Sequence, residues 1–168
     1  FFYPSASLSW VCSDFMRSID QKLPSWITFA KLRVSAAQVG KDPAPYNLYN
    51  VRKYQFEMGN RKPINNTIKL NANLKPEIKT SYEVGVDMKF LDNRLGFDIT
   101  YYYNTTKNQA MLVDASSPWT QQWVNAGKIN NTGVEFMLYG TPVKTRDFQF
   151  DITANLAHNS STVKELAD

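Results

Sequence analysis

The 168-residue sequence is poor in the side chains that carry most enzyme and metal chemistry. Cys12 is its single cysteine, which excludes an internal disulfide and a cysteine metal framework. His158 is its single histidine and stands among Asn and Ser residues, a setting that predicts a loop position rather than a ligand or base. No G-x-S-x-G, H-E-x-x-H or P-loop pattern occurs. We therefore assign no catalytic, cofactor-binding or metal site, and the expected reading is not an enzyme. No apolar run approaches the ~20 residues of a membrane helix. No charged segment followed by an apolar one opens the chain, so no signal peptide is expected. The net charge of +4 comes from scattered residues. It forms no stripe, and nucleic acid is not expected as a partner.

What the sequence does have is alternation. Tyr82, Val84, Val86, Met88 and Phe90 share one parity, opposed by Glu83, Gly85, Asp87 and Lys89. Leu95, Phe97, Ile99, Tyr101 and Tyr103 share another, opposed by Gly96, Asp98, Thr100, Tyr102 and Asn104. Strand side chains point to opposite faces in turn, so each run is a strand with one apolar side. Leu91-Asp92-Asn93-Arg94 between them is a signal for a two-residue hairpin turn. A turn at Asp92-Asn93 pairs Phe90 with Leu95, Val86 with Ile99 and Tyr82 with Tyr103, keeping both apolar sets on one face. A slip of one residue would destroy that agreement.

The apolar face has two possible destinations, the core of a soluble sandwich or the lipid around a membrane barrel. The polar face sets Asp87 opposite Asp98, which is unfavourable for like charges but is screened in a wide, wet lumen. Alternation from Arg94 to Asn104 meets the ~9–11 residues of a membrane strand. A mean hydropathy of −0.42 is compatible with a barrel, because only alternate residues face lipid.

Four stretches carry a family resemblance. N-L-K-P-E at 73–77 with T-S-Y-E-V-G-V-D at 80–87, and V-N-A-G-K-I-N-N-T-G-V-E-F at 124–136, resemble TonB-dependent outer-membrane transporters. L-R-V-S-A-A-Q-V-G-K-D at 32–42 and D-F-Q-F-D-I-T-A-N-L-A-H-N at 147–159 resemble the SusC/RagA branch, the TonB-linked porters of Bacteroidetes. The resemblance implies a Gram-negative outer-membrane barrel that encloses a plug and imports oligosaccharides or peptides. Its implied partners are the rest of the barrel and plug, a SusD-like lipoprotein lid, TonB and the lipid bilayer. We read residues 1–168 as a segment of the barrel domain without the plug. The fold class is all-β, a curved antiparallel up-and-down sheet forming part of a large transmembrane β-barrel.

In chain order, Phe1–Val11 reads as a strand, Ser13–Leu23 as a short helical turn and Thr28–Gln38 as a second strand. Gly40–Lys79, rich in Pro and Asn, reads as a long loop in which Tyr46–Met58 forms strand extensions. The central hairpin follows, continuing to Val113. Trp119–Tyr139 reads as one long strand, with a hairpin at Asn130-Asn131 as the alternative. Thr141–Asp147 is a turn, Phe148–Leu156 the last strand, and Thr162–Asp168 a loop or frayed end. The count is about six strands. Candidate substrate-facing residues are Glu83, Asp87, Asp98, Tyr102 and Glu135 on the polar face, and Trp119 and Trp123 near a loop. The carboxylates fit a lumen surface better than an acid/base pair, and the tryptophans, which could stack on sugar rings, fit a membrane interface better. Two rival functions are kept. A soluble or surface carbohydrate-binding β-sandwich requires a second sheet over the apolar face. An outer-membrane barrel enzyme requires a Ser/His constellation that is missing.

Overall fold

A computed structural model describes residues 2–21, 23–44, 47–49, 53–64 and 67–166. The strands are β1 (Ser5–Val11), β2 (Ile27–Lys41), β3 (Lys53–Glu57), β4 (Asn60–Ile64), β5 (Ile68–Lys69), β6 (Glu77–Phe90), β7 (Leu95–Asp114), β8 (Gln121–Lys144) and β9 (Gln149–Glu165). A short helix, α1 (Cys12–Ser18), joins β1 to β2. Spatial order follows chain order for the long strands, β1-β2-β6-β7-β8, with β9 paired to β8. The predicted up-and-down sheet is what forms. The chain divides into two compact units that cut across these strands. The first contains 1–38, 80–105 and 130–162; the second contains 39–79, 106–129 and 163–168.

In the first unit the edge pair β1–β2 is antiparallel, with Ser9 opposite Arg33 and Leu8 opposite Val34. The β6–β7 hairpin closes through Leu91–Arg94, where the Arg94 N–H donates to the Leu91 carbonyl at 3.1 Å. Asp92 and Asn93 both have positive φ, 55° and 64°, as the mirror-image turn demands. The Phe90 and Phe97 rings are 5.8 Å apart, and a Cβ on Gly85 would lie 3.3 Å from Thr100 Oγ1. Both contacts agree with the register read from the sequence. Tyr102 lies over Gly133, Tyr139 over Gly96, and the Thr105 hydroxyl donates to Asn130 Oδ1 at 3.2 Å. Rising numbers on β7 meet falling numbers on β8, so this pair is antiparallel too.

The apolar face carries no covering layer among the described residues. Leu74 is the only buried hydrophobic residue there, while Tyr82, Val84, Ile99, Tyr101, Val134 and Leu138 are exposed. Toward the short-turn end, Trp26, Phe90, Phe97 and Phe136 form a row with successive ring centroids 5.6, 5.8 and 6.4 Å apart. A sandwich would bury such a face. A barrel wall gives it to lipid, with aromatics at the rim.

In the second unit, β3 and β4 form a separate two-stranded hairpin, Tyr54 opposite Pro63. It turns at Met58-Gly59, both with positive φ. The Arg61 guanidinium lies 5.4 Å from the Tyr54 ring centre and 5.7 Å from that of Phe56, and Lys62 pairs with Glu57 at 2.9 Å. β5 joins β8 in parallel, Ile68 opposite Gln121.

Several expectations are corrected. The first strand begins at Ser5 rather than Phe1, which lies outside the described residues. The helix is confined to Cys12–Ser18, and β2 runs three residues past Gln38. The segment expected to extend flanking strands is an independent hairpin, and its predicted start, Tyr46, lies outside the described residues. The Trp119 strand begins at Gln121 and runs unbroken through Asn130-Asn131 to Lys144, which removes the alternative hairpin. The turn expected at Thr141–Asp147 contracts to Thr145–Phe148, where Thr145 N–H donates to the Phe148 carbonyl at 2.8 Å. The last strand continues to Glu165, so His158 and the first four residues of the expected loop or frayed end, 162–165, belong to a strand. The final two residues lie outside the described set. The ladder supplies the reason: a 24-residue β8 offers main-chain partners beyond the point where β9 loses its apolar alternation.

Candidate functional site

The polar face of the first unit is built around one ion pair that crosses a strand. Arg33 projects from β2 toward β6, where the residue beneath it is Gly85. A Cβ there would lie 2.9 Å from Arg33 Nη2 and 3.0 Å from Nε. With no side chain in the way, the guanidinium spans β6 and reaches β7. Its Nη2 donates to both carboxylate oxygens of Asp98, at 2.7 and 2.8 Å, and to Thr100 Oγ1 at 3.3 Å. The Thr100 hydroxyl also approaches Asp98 Oδ1 at 3.3 Å. Asp98 is the less exposed partner, 19% against 39% for Arg33. Its neighbour in register, Asp87, is half-buried on the same parity as Gly85. The like-charge juxtaposition predicted from the sequence is therefore moderated by a cation from a third strand.

Two tyrosines lie flat on the same face, each over a glycine of the neighbouring strand. A Cβ on Gly133 would collide with the Tyr102 ring, and one on Gly96 with the Tyr139 ring. The Asn130 amide donates to the Tyr103 hydroxyl at 2.8 Å. Glu135 borders a recess of about 330 Å³ with Asp98, Thr100 and Asn155. Glu83 borders a second one, also about 330 Å³, with Ser7, Ser9, Arg33 and Thr100. Of the residues singled out in the sequence, Glu83, Asp98 and Glu135 thus line recesses that share Thr100, and Tyr102 stacks on a glycine.

Trp119 and Trp123 belong to the second unit. Trp119 is half-buried in the loop before β8, its N–H donating to the Ser116 carbonyl at 3.2 Å. Trp123 is on β8 and borders a cavity of about 200 Å³ with Lys41, Asp42, Lys75 and Glu77. Beside it is a clamp that sequence reasoning did not single out. Asn125 accepts from the Lys75 N–H at 2.8 Å, and its amide donates to the Lys75 carbonyl at 2.9 Å and to the Asn108 carbonyl at 2.8 Å. Asn71 adds a bond to the Trp123 carbonyl at 3.2 Å and one from the Asn73 N–H at 2.9 Å. The two stretches N-L-K-P-E and V-N-A-G-K therefore meet through Lys75 and Asn125. Arg33 alternates with Leu32 and Val34, so its parity puts it on the polar face, yet nothing local marks it as a site residue. The available signal was an inward glycine on β6 between an inward cation and an inward acid.

Chemically this is a surface of fixed charges, amides, hydroxyls and aromatic rings. The cation is held by a carboxylate, which suits orientation of polar solutes rather than proton transfer.

Comparison with known proteins agrees with this architecture. The family model described as TonB dependent receptor-like, beta-barrel, matches residues 1–167. The chain is 27% identical over 177 residues to the TonB-dependent receptor SusC of Bacteroides thetaiotaomicron, covering 98% of this chain and 17% of SusC. It is 25% identical over 175 residues to the TonB-dependent receptor P3 of Formosa agariphila, covering 99% of this chain and 17% of that protein. Among solved structures, the RagAB peptide importer in its closed-closed state superposes with a TM-score of 0.84 at 21% identity, over 98% of this chain and 18% of the other. The siderophore receptor PirA of Pseudomonas aeruginosa superposes at 0.62 and 19% identity, over 97% of this chain and 28% of PirA. The chain thus spans about a sixth of the length of the curated relatives it matches, 17% in each case. An open up-and-down sheet with an uncovered apolar face, a polar face organised by Arg33 and Asp98, and a family match along nearly the whole sequence lead to one conclusion: the chain belongs to the TonB-dependent receptor-like β-barrel family.

Proposed function

We propose that residues 1–168 form part of the wall of a Gram-negative outer-membrane importer that takes up oligosaccharides, glycans or peptides, and that the segment has no enzymatic role. The observation that carries this reading is the asymmetry of the sheet. One face is apolar and uncovered, and the other presents the Arg33–Asp98 pair with Glu83, Asp87, Tyr102 and Glu135. Lipid outside and a wet lumen inside is the environment such a sheet needs. RagAB is a peptide importer, which supports the peptide class of cargo; the oligosaccharide class rests on the resemblance of the sequence to the SusC/RagA branch. On this reading, Glu83, Asp87, Asp98, Tyr102 and Glu135 face the lumen, and Trp119 in the loop before β8 and Trp123 near the start of that strand stand where cargo passes. The working protein includes the remainder of the barrel, a plug that engages TonB, and a SusD-like lipoprotein lid.

The test is uptake. The complete barrel is expressed in a strain lacking its own copy, and growth on defined oligosaccharides and peptides is followed with and without TonB. TonB-dependent growth on at least one of these cargoes is expected. Growth identical to the deletion strain on every cargo, with the barrel folded in the outer membrane, would sink the proposal.

A further inference from the structure

The short-turn end of the first unit carries an open groove of about 700 Å³. Its walls belong to the apolar face: Leu95 shares the parity of Phe97, Leu138 shares that of Phe136, and Ile152 and Ala154 continue the surface on β9. Its floor is Gly140. A Cβ there would meet only the Arg94 carbonyl and Leu95 Cδ1, both at 3.6 Å, an ordinary contact distance. Its φ lies outside the left-handed region as well. The fold therefore does not require glycine at this position. Gly85, Gly96 and Gly133 differ, because each is covered by a side chain from the next strand. Glycine in a strand interior gives up packing and backbone order. At Gly140 the return is depth.

Two opposite charges flank the mouth. The Arg94 side chain donates to the Pro142 carbonyl at 3.3 Å, which holds the guanidinium at the end of the groove. The main-chain N–H of Asp92 donates to Thr28 Oγ1 at 3.0 Å, which ties this end of the turn to β2. Neither side chain is in an ion pair among the described residues. Short turns of outer-membrane barrels lie on the periplasmic side. The ligand that matches is amphiphilic, with an anionic group for Arg94, an N–H cation for Asp92 and a hydrocarbon tail.

We propose that this groove binds an ethanolamine-headed phospholipid of the periplasmic leaflet, its phosphate on Arg94, its ammonium on Asp92 and an acyl chain over Gly140. The inference rests on the membrane-wall reading but not on any choice of cargo. A glycerol headgroup would leave Asp92 facing no cation. A choline headgroup has no N–H to donate.

The complete barrel, extracted in mild detergent, is titrated with phosphatidylethanolamine, phosphatidylcholine and phosphatidylglycerol, and retained lipid is counted by native mass spectrometry. Phosphatidylethanolamine should be retained about tenfold better than the other two, the scale of one or two charge-assisted hydrogen bonds. Arg94→Gln and Asp92→Asn should each remove most of that preference, and Gly140→Leu should fill the groove and abolish it. Heat-modifiable electrophoretic mobility reports folding of each variant. Should Gly140→Leu fail to fold, Gly140→Ala, whose Cβ fits, must still show reduced retention. Equal retention of the three lipids overturns the proposal, as does a preference that survives both charge variants. A barrel that imports cargo without any lipid preference sinks this inference alone; one that holds the lipid and imports nothing sinks only the transport reading.

Discussion

At the scale of residues, glycine positions explain the polar face better than its charges do. Gly85 lets Arg33 cross a strand, and Gly133 and Gly96 accept tyrosine rings. Gly133→Val should displace Tyr102 and destabilise the complete barrel by about 1–3 kcal/mol, the usual cost of overpacking. Urea-induced unfolding from lipid vesicles would measure it, and a midpoint equal to the parent's would contradict the close approach. The ion pair behaves differently. Arg33→Ala leaves Asp98 without its ion-pair partner and should cost about 1–2 kcal/mol, less than a fully buried pair because both partners retain solvent contact. A double variant that also carries Asp98→Asn should recover part of that loss. Two adjacent positions on β7 test the sidedness directly. Ile99→Arg places a charge toward lipid and should cost about 2–4 kcal/mol if the site lies near the midplane, whereas Thr100→Arg faces the wet side and should cost much less. Equal costs would remove the assignment of faces.

At the scale of elements, the Asn125 clamp joins a loop to a strand. Its three bonds to the Lys75 and Asn108 main chain replace ladder bonds that the irregular 70–76 segment cannot make. Asn125→Ala should release that segment, and hydrogen exchange at the Lys75 amide should accelerate while the amides of the β6–β7 hairpin stay protected. Unchanged exchange at Lys75 would show that the clamp is dispensable. The turn of that hairpin carries a smaller strain. Leu91 has a φ of 52°, a conformation costing a side-chain-bearing residue about 1–2 kcal/mol. The return is a bond outside the hairpin, from the Leu91 N–H to the Trp26 carbonyl at 3.0 Å.

At the scale of the whole molecule, the long strands bury almost nothing among the described residues, and both outer strands are exposed along nearly their entire length. Open edges and bare apolar faces invite association in water. The isolated chain should therefore aggregate in detergent-free buffer and give β-rich circular dichroism only with detergent or lipid. A monodisperse, cooperatively melting monomer in plain buffer would contradict the membrane reading and revive a soluble sandwich.

The sequence by itself determined the hairpin, its register and its two faces. Period-two alternation is a local property, and only one pairing of residues 82–90 with 95–103 keeps Val86 and Ile99 on one side. It also determined two adjacent pairs, β6–β7 and β8–β9, because tight turns force antiparallel neighbours. Three things were decided by tertiary structure. Strand length was one: β9 extends past its apolar alternation because β8 supplies a ladder there, and no local pattern reports on a partner's length. The organisation of the long connection was another. Proline is disfavoured in a central strand, yet in a two-stranded hairpin Pro63 meets no second neighbour that needs its missing N–H. The candidate site was the third. Arg33, Gly85 and Asp98 lie on three different strands, and their meeting depends on the relative stagger of β2, β6 and β7. Stagger between strands joined by a long loop is set by side-chain fit across the sheet, which no stretch of sequence carries alone.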